Sequence, residues 1–446
     1  MKKLIQTLKN IWSIEELRSK ILFTLIMIAI YRLGAFIVLP GIVPNELEKQ
    51  SGSSNNGILD LINTFAGGAF NQASIFALGI MPYISASIFM QLMTVLVPRF
   101  QKMQKEGDSG RKKINQYTRY LTVVVTILQA SAYVRYLENM ATSNPLIINA
   151  AFAPSYFFIT TIIVLTAGTL FVMWMGEKIT DKGLGNGTSL IIMVGILARL
   201  PQSFLEELTA KSTRTGSILI FIIEIAILIA IILGCILLIQ GVRKVPVNYA
   251  KQIVGNRQFG GQRQFLPLKV NSAGVMPIIF AQAIMFLPTL ITLGNQQTLS
   301  RIFTDPRDIT HMIIYSVVVI GFTFLYTALI FNPKQIADNL KQNNGFIPGV
   351  KPGQPTADYI GLIMDRITLP GAVLLAFVGI LPGIAARLGV TQGFSTFFGG
   401  TSLLIMVGVI LDTLQQIETQ LIMRQYDSLM KSGRIQGRQT QSAVQM

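Results

Sequence analysis

From Ser217 to Ile239 the chain runs for 23 residues with one charged side chain, Glu224. As a helix that run reaches about 34 Å, enough to cross a hydrocarbon core of about 30 Å. In lipid a backbone must satisfy its own hydrogen bonds, so such a run is a helix. We read ten spans of this kind, at roughly 21–39, 73–97, 119–138, 156–176, 187–200, 217–239, 272–293, 310–331, 368–388 and 400–421. The fifth is short and follows the glycine-rich DKGLGNG; the tenth follows FFGG. With 51% hydrophobic and 13% charged residues, the chain reads as an all-α polytopic membrane protein.

The net charge of +16 therefore sits in loops. Segments 1–20, 98–118, 177–186, 240–271, 332–367 and 422–446 hold 27 Lys and Arg, against five in 40–56, 139–155, 201–216, 294–309 and 389–399. The richer set, with both termini, is expected on the cytoplasmic side. Ten spans divide into two five-helix halves, 21–200 and 217–421. The odd number per half makes the second start from the opposite side, the arithmetic of an inverted repeat. No residue-level self-similarity accompanies it.

Residues 57–97 do not fit a simple span. Gly57–Phe70 has apolar residues at Ile58, Leu61, Ile62 and Phe65, which is helical spacing. Fourteen residues reach only about 21 Å as a helix and cannot cross. Asp60 and Asn63 need partners at that depth, and Gly67-Gly68 ends or bends the helix. Non-helical backbone inside a membrane requires surrounding protein or a watery cavity. The span expected at 73–97 then carries Ile80, Ile84, Ser87, Gln91 and Thr94 on one arc of about 80°. That stripe suits either a vestibule closed by aliphatic side chains or a polar seam holding helices together.

Several classes are disfavoured. One cysteine, Cys235, leaves no disulfide framework or cysteine metal site, and one histidine, His311, leaves no HExxH. No GxxxxGK[ST] occurs, so no P-loop holds a nucleotide, and neither cofactor nor catalytic residue is expected. Met1–Lys20 is polar and basic, without the pattern of a cleavable signal. Arg32, Glu224 and Asp412 fall inside spans. A secondary transporter would use such acids as ion sites, but convergent polar ligands are not evident.

Two basic loops are long. Segment 240–271 holds Arg243, Lys244, Lys251, Arg257, Arg263 and Lys269 with no acid; VPVNYA reads as extended, and Gly255 and Gly260-Gly261 indicate a hairpin. Segment 332–367 contains GFIPGVKPGQPTADYI. Their charge with interleaved aromatics suits a phosphate-rich or acidic partner; the alternative is that charge only enforces orientation.

The stretches YRLGAFIVLPGI, FAGGAFNQASIFALGIMPYISASIFMQL, KEGDSGRKKINQYTRY, MWMGEKITDKGLGNGTSLII, VPVNYAKQ, LPLKVNSAGVMPIIFA, YTALIFNPKQIADNLK, GFIPGVKPGQPTADYI and FFGGTSLLIMVGVILD run through nearly the whole chain. Together they resemble the bacterial SecY family, the channel subunits of the general protein-conducting channel. The resemblance implies ten helices around an hourglass pore, with a plug at 57–70 that includes Gly67 and Gly68. It implies an aliphatic ring at Ile80, Ile84, Thr188, Ile192, Ile279 and Ile405, and a lateral gate near Ser87, Gln91 and Asn271. It implies SecE and SecG as small membrane subunits, and unfolded preproteins with signal sequences as cargo released across the membrane or into lipid. Docking of the SecA ATPase or the ribosome is implied at Arg243, Lys244, Lys251, Arg257, Arg263 and Lys351. The location implied is the bacterial inner membrane. Two positions depart from the family pattern. Thr188 stands where an aliphatic residue is usual, and Lys351 where Arg is usual. The Thr188 hydroxyl either bonds back to a carbonyl such as that of Gly185 or faces the neck.

Overall fold

The computed structural model describes residues 12, 14–44, 46–47, 63–143, 146–148, 154–212, 217–249, 252–254, 257–259, 263–291 and 307–431. Ile58, Asp60, Leu61, Ile62 and Lys251 lie outside the described residues, as do the side chains of Arg257 and Arg263. The described residues within Met1–Ser54, Ile62–Ala198 and Val409–Met446 form one compact unit, and those within Arg199–Gly408 a second.

The first unit is built on α1 (Glu15–Gly34), α2 (Met81–Leu96), α3 (Pro98–Lys105), α4 (Asp108–Ser143), α5 (Pro154–Lys182) and the first half of α6 (Gly187–Ser212). Helix α2 packs on α4, α4 on α5, and α1 on α5. Helix α4 is the least apolar of these spans. It keeps Thr118, Thr122 and Thr126 buried by donating each hydroxyl to the carbonyl four residues earlier.

Among the described residues seven helices are long and apolar enough to cross a membrane. They lie at the expected third to sixth and eighth to tenth spans. At the other three expected spans the described helices are α1, α2 and α8 (Met276–Ile291, where the described residues stop). The expected helical onset at residue 73 is corrected by the structure: residues 66–80 are turns, and the helix starts at Met81. Gly79 has φ +54°, a left-handed conformation that breaks a helix, and Pro82 sits in the first turn, where no intrahelical donor is lost. The fifth span is longer than expected. Helix α6 continues to Ser212 through Pro201. Helix α2 ends at Leu96, Val97 is extended before Pro98, and the chain turns by 99° into α3.

The second unit holds α7 (Ser217–Gln240), β1 (Val242–Tyr249), β2 (Gln252–Val254), β3 (Arg257–Phe259), β4 (Arg263–Lys269), α8, α9 (Ile309–Ile330), α10 (Pro333–Gln342), β5 (Gly345–Phe346) and α11 (Gln354–Arg387). It also holds the four-residue α12 (Gln392–Ser395) and the start of α13 (Gly400–Lys431). The loop at 240–271 is the expected hairpin. Strand β1 pairs antiparallel with β4 from Val242↔Lys269 to Asn248↔Arg263, and β2 pairs with β3 beyond it. Strand β5, from the other long loop, adds to β1 at Asn248↔Phe346 and Tyr249↔Gly345. The two loops therefore share one core of Val245, Val247, Leu268, Leu340, Ile347, Ile360 and Met364. Helix α11 is long because its first turns, with Ile360 and Met364 on one face, pack on that sheet before the apolar span begins.

Candidate functional site

In the first unit the expected half-helix is described from Asn63 onward. It ends as Gly67-Gly68 dictates. Gly68 N–H donates to the Asn63 carbonyl (2.9 Å), and Gly67 N–H donates to the Thr64 carbonyl (3.2 Å). Gly67 has φ +66°. This is a Schellman turn, which closes a helix C-terminus on its own carbonyls. Asn63 is fully buried, and its side-chain carbonyl accepts from Asn71 N–H at 3.2 Å, so the polar residue noted in the sequence is satisfied.

The turns that follow are fixed from several sides of the unit. Leu39 N–H donates to the Ala73 carbonyl (2.8 Å), and Ile75 N–H to the Ile37 carbonyl (2.9 Å). Tyr133 on α4 donates its hydroxyl to the Phe70 carbonyl at 2.6 Å, and the two rings lie 4.6 Å apart. Phe76 stacks between Tyr31 and Phe171. Glycines on three helices admit the segment. A Cβ on Gly34 would lie 2.0 Å from the Phe76 ring, on Gly168 2.2 Å from the Ile75 carbonyl oxygen, and on Gly195 2.7 Å from the Phe65 carbonyl oxygen.

The positions assigned to a ring fall in both units. In the first, Ile80 and Ile84 are one turn apart, joined by Ile84 N–H to the Ile80 carbonyl (3.1 Å). Ile80 is buried and Ile84 half-buried. Thr188 and Ile192 are one turn apart on α6. The Thr188 hydroxyl does not bond back to a backbone carbonyl such as that of Gly185. It donates to the Asn186 side-chain carbonyl at 2.7 Å. That same oxygen accepts the N–H of Thr188 (3.1 Å) and Ser189 (3.4 Å), so Asn186 caps the helix. In the second unit Ile279 lies on α8, half-buried, and Ile405 on α13, buried.

Of the residues assigned to a lateral gate, Ser87 accepts from Gln91 Nε2 at 3.5 Å, and Thr94 donates to the Gln91 carbonyl at 2.7 Å. The polar end of the stripe on α2 is thus internally bonded. Asn271 precedes α8, and its Oδ1 is buried with no hydrogen-bond partner among the described residues.

The sequence noted Glu224 but not its partners. Lys211 lies 3.0 Å from Glu224 and 3.4 Å from Glu207, and donates to the Gly389 carbonyl at 3.1 Å. Glu207 also accepts the Thr391 N–H at 2.7 Å and the Thr391 hydroxyl. Lys211 and Glu207 lie beyond the expected end of the fifth span, which hid the cluster. Glu224 is thereby bonded to a fixed cation, as a structural ion pair would be. Asp412 is exposed on α13.

Arg243, Lys244 and Lys269 are exposed on the sheet, Lys334 and Lys341 on α10, and Lys351 on the turn before α11. The Lys351 backbone is held by the Thr356 hydroxyl donating to its carbonyl at 2.8 Å.

Fold and segment together define a polytopic, all-α membrane protein in which a buried, non-helical stretch lies among the spans. A sequence model of the SecY family matches residues 74–414. The protein translocase subunit SecY of Mycobacterium tuberculosis is 42% identical over 437 residues, covering 93% of this chain and 97% of that one. The chain belongs to the SecY family. The fold resembles a solved structure concerned with the SecY plug domain and its membrane seal, with TM-score 0.60, 17% identity and coverage of 90% and 92%. It resembles as well Sec61 in a canine ribosome-channel complex, with TM-score 0.58, 17% identity and the same coverage.

Proposed function

We propose that this chain is a gated conduit for unfolded polypeptide in the bacterial inner membrane, with both termini cytoplasmic. Its two inverted halves, 21–200 and 217–421, enclose an hourglass pore. Cargo crosses through a neck lined by Ile80, Ile84, Thr188, Ile192, Ile279 and Ile405, and apolar segments leave sideways near Ser87, Gln91 and Asn271. Aliphatic side chains exclude water from a narrow neck, yet make only weak undirected contacts, so a passing chain breaks no specific bond. The half-helix at 57–70 is the plug. The observation that carries the reading is the buried Schellman turn at Gly67, which closes the described end of the half-helix expected from the sequence. Such backbone at membrane depth requires surrounding protein or a watery cavity, as a plugged conduit provides.

The protein performs no covalent chemistry, so direction comes from a motor or the ribosome. A signal sequence selects a minor open state by binding it better than the resting one. The sheet of β1, β4 and β5, with Lys351, is the platform on which a SecA-type motor or the ribosome docks. Kinship with translocase subunits and the likeness to a ribosome-bound channel support this. SecE- and SecG-type subunits complete the assembly. The test is vesicle reconstitution with the motor and small subunits, following protease protection of an unfolded secretory reporter. Protection that needs the signal sequence and this chain is expected. Equal protection in vesicles lacking this chain would overturn the reading.

A further inference from the structure

We propose that Arg32 is the latch that holds the half-helix in place, a positioning residue for the resting seal. This rests on the plug reading above. Arg32 stands in the last turn of α1, in an otherwise apolar stretch of an expected span. A guanidinium there is unfavourable unless it is bonded. Its Nη1 donates to the carbonyl of Gly67 at 3.1 Å, and the guanidinium carbon lies 5.4 Å from the centre of the Phe36 ring. Gly67 is the left-handed residue of the Schellman turn, so its carbonyl points away from the helix it ends.

The contact leaves little slack. A Cβ on Gly67 would lie 2.9 Å from Arg32 Nη1 and 2.9 Å from the Gly195 Cα. The turn is thus gripped between the guanidinium on α1 and bare backbone on α6. The grip is directional and charge-assisted on one side and only steric on the other. A bond of that kind fixes one geometry while it is made and is lost at once when the turn moves away. The neighbouring contacts of this stretch, at Ala73 and Ile75 with 37–39, lie after the turn, where the chain joins α2. Arg32 bonds to the turn itself, at the foot of the half-helix, so its loss loosens the end by which the half-helix is docked.

The test uses the full-length protein with its small subunits in planar bilayers, reading resting ion conductance. Arg32→Gln keeps donors but loses charge and reach. Arg32→Lys keeps charge but not the planar fork. Each is made alone and combined with deletion of residues 58–66. Arg32→Gln should raise resting leak about ten-fold or more, the scale set by losing a charge-assisted hydrogen bond. Arg32→Lys should leak at an intermediate level. In the deletion background both should add nothing, because the object they hold is gone; a purely structural defect would leak in both. Parent-level leak for Arg32→Gln while the deletion leaks overturns the latch and leaves the plug standing. A deletion that does not leak overturns the plug itself. If Arg32→Gln fails to insert, Arg32→Lys decides alone, and parent-level leak there also overturns the proposal.

Discussion

Residues 63–80 and the sheet of β1, β4 and β5 both interrupt a series of long helices, and they are held in different ways. The first adds to its buried Phe65, Phe70 and Phe76 a set of directional contacts: backbone hydrogen bonds, Arg32 and Tyr133, and glycines that let carbonyls approach α5 and α6 within contact distance. The second is fastened by a continuous aliphatic core, Val245, Val247, Leu268, Leu340, Ile347, Ile360 and Met364. Directional bonds hold one geometry and release cleanly. Dispersion and area burial tolerate small shifts but release only when the core opens. A part that must move suits the first construction, and a platform that must bear a partner suits the second.

The largest effect is expected at the platform. Ile360 is fully buried, and Ile360→Asp places an unpaired carboxylate among aliphatic side chains. Loss of the packing alone is worth about 2–5 kcal/mol, and the buried charge adds to it. Limited proteolysis should cut within 240–271 and 332–367, and ribosome binding should fail, while resting ion leak stays at the parent level. A leak that rises together with the proteolysis would show that platform and seal are one cooperative piece, and the contrast would break.

A smaller effect is expected in the segment. Gly168→Ala puts a methyl group 2.2 Å from the Ile75 carbonyl oxygen, so the turns at 73–76 must shift. Overpacking of this kind costs about 1–3 kcal/mol, less than the core lesion. Resting leak should rise and ribosome affinity should not change. Lower affinity at unchanged leak would contradict the division of roles.

Much of this was legible in the chain. The length of 57–70, its apolar spacing and Gly67-Gly68 announced a half-helix with a glycine end, and the described part closes as those glycines require. The spans were legible because lipid imposes a single solution on a long apolar run. The hairpin at 240–271 showed in its glycines. Pairings between distant segments were not legible. The bridge of residues 37–39 with 73–75 took the start of the expected second span out of helix, and β5 joined β1 across nearly a hundred residues. Each depends on a tertiary neighbour rather than on local pattern. The fifth span was expected to stop at residue 200, yet α6 continues through Pro201 to Ser212. For that reason Lys211 and Glu207 were assigned to a loop and the pairing of Glu224 went unseen. At Thr188 the sequence offered the carbonyl of Gly185 as a hydrogen-bond partner; the partner is the capping side chain of Asn186, two residues away.

The central claim is that the half-helix ending at Gly67 seals a conduit. Single-channel recording of the purified complex in planar bilayers, parent against deletion of residues 58–66, tests it without a motor or cargo. The claim predicts a resting conductance raised by the deletion, with the protein still inserted. Equal resting conductance in the two proteins would contradict it.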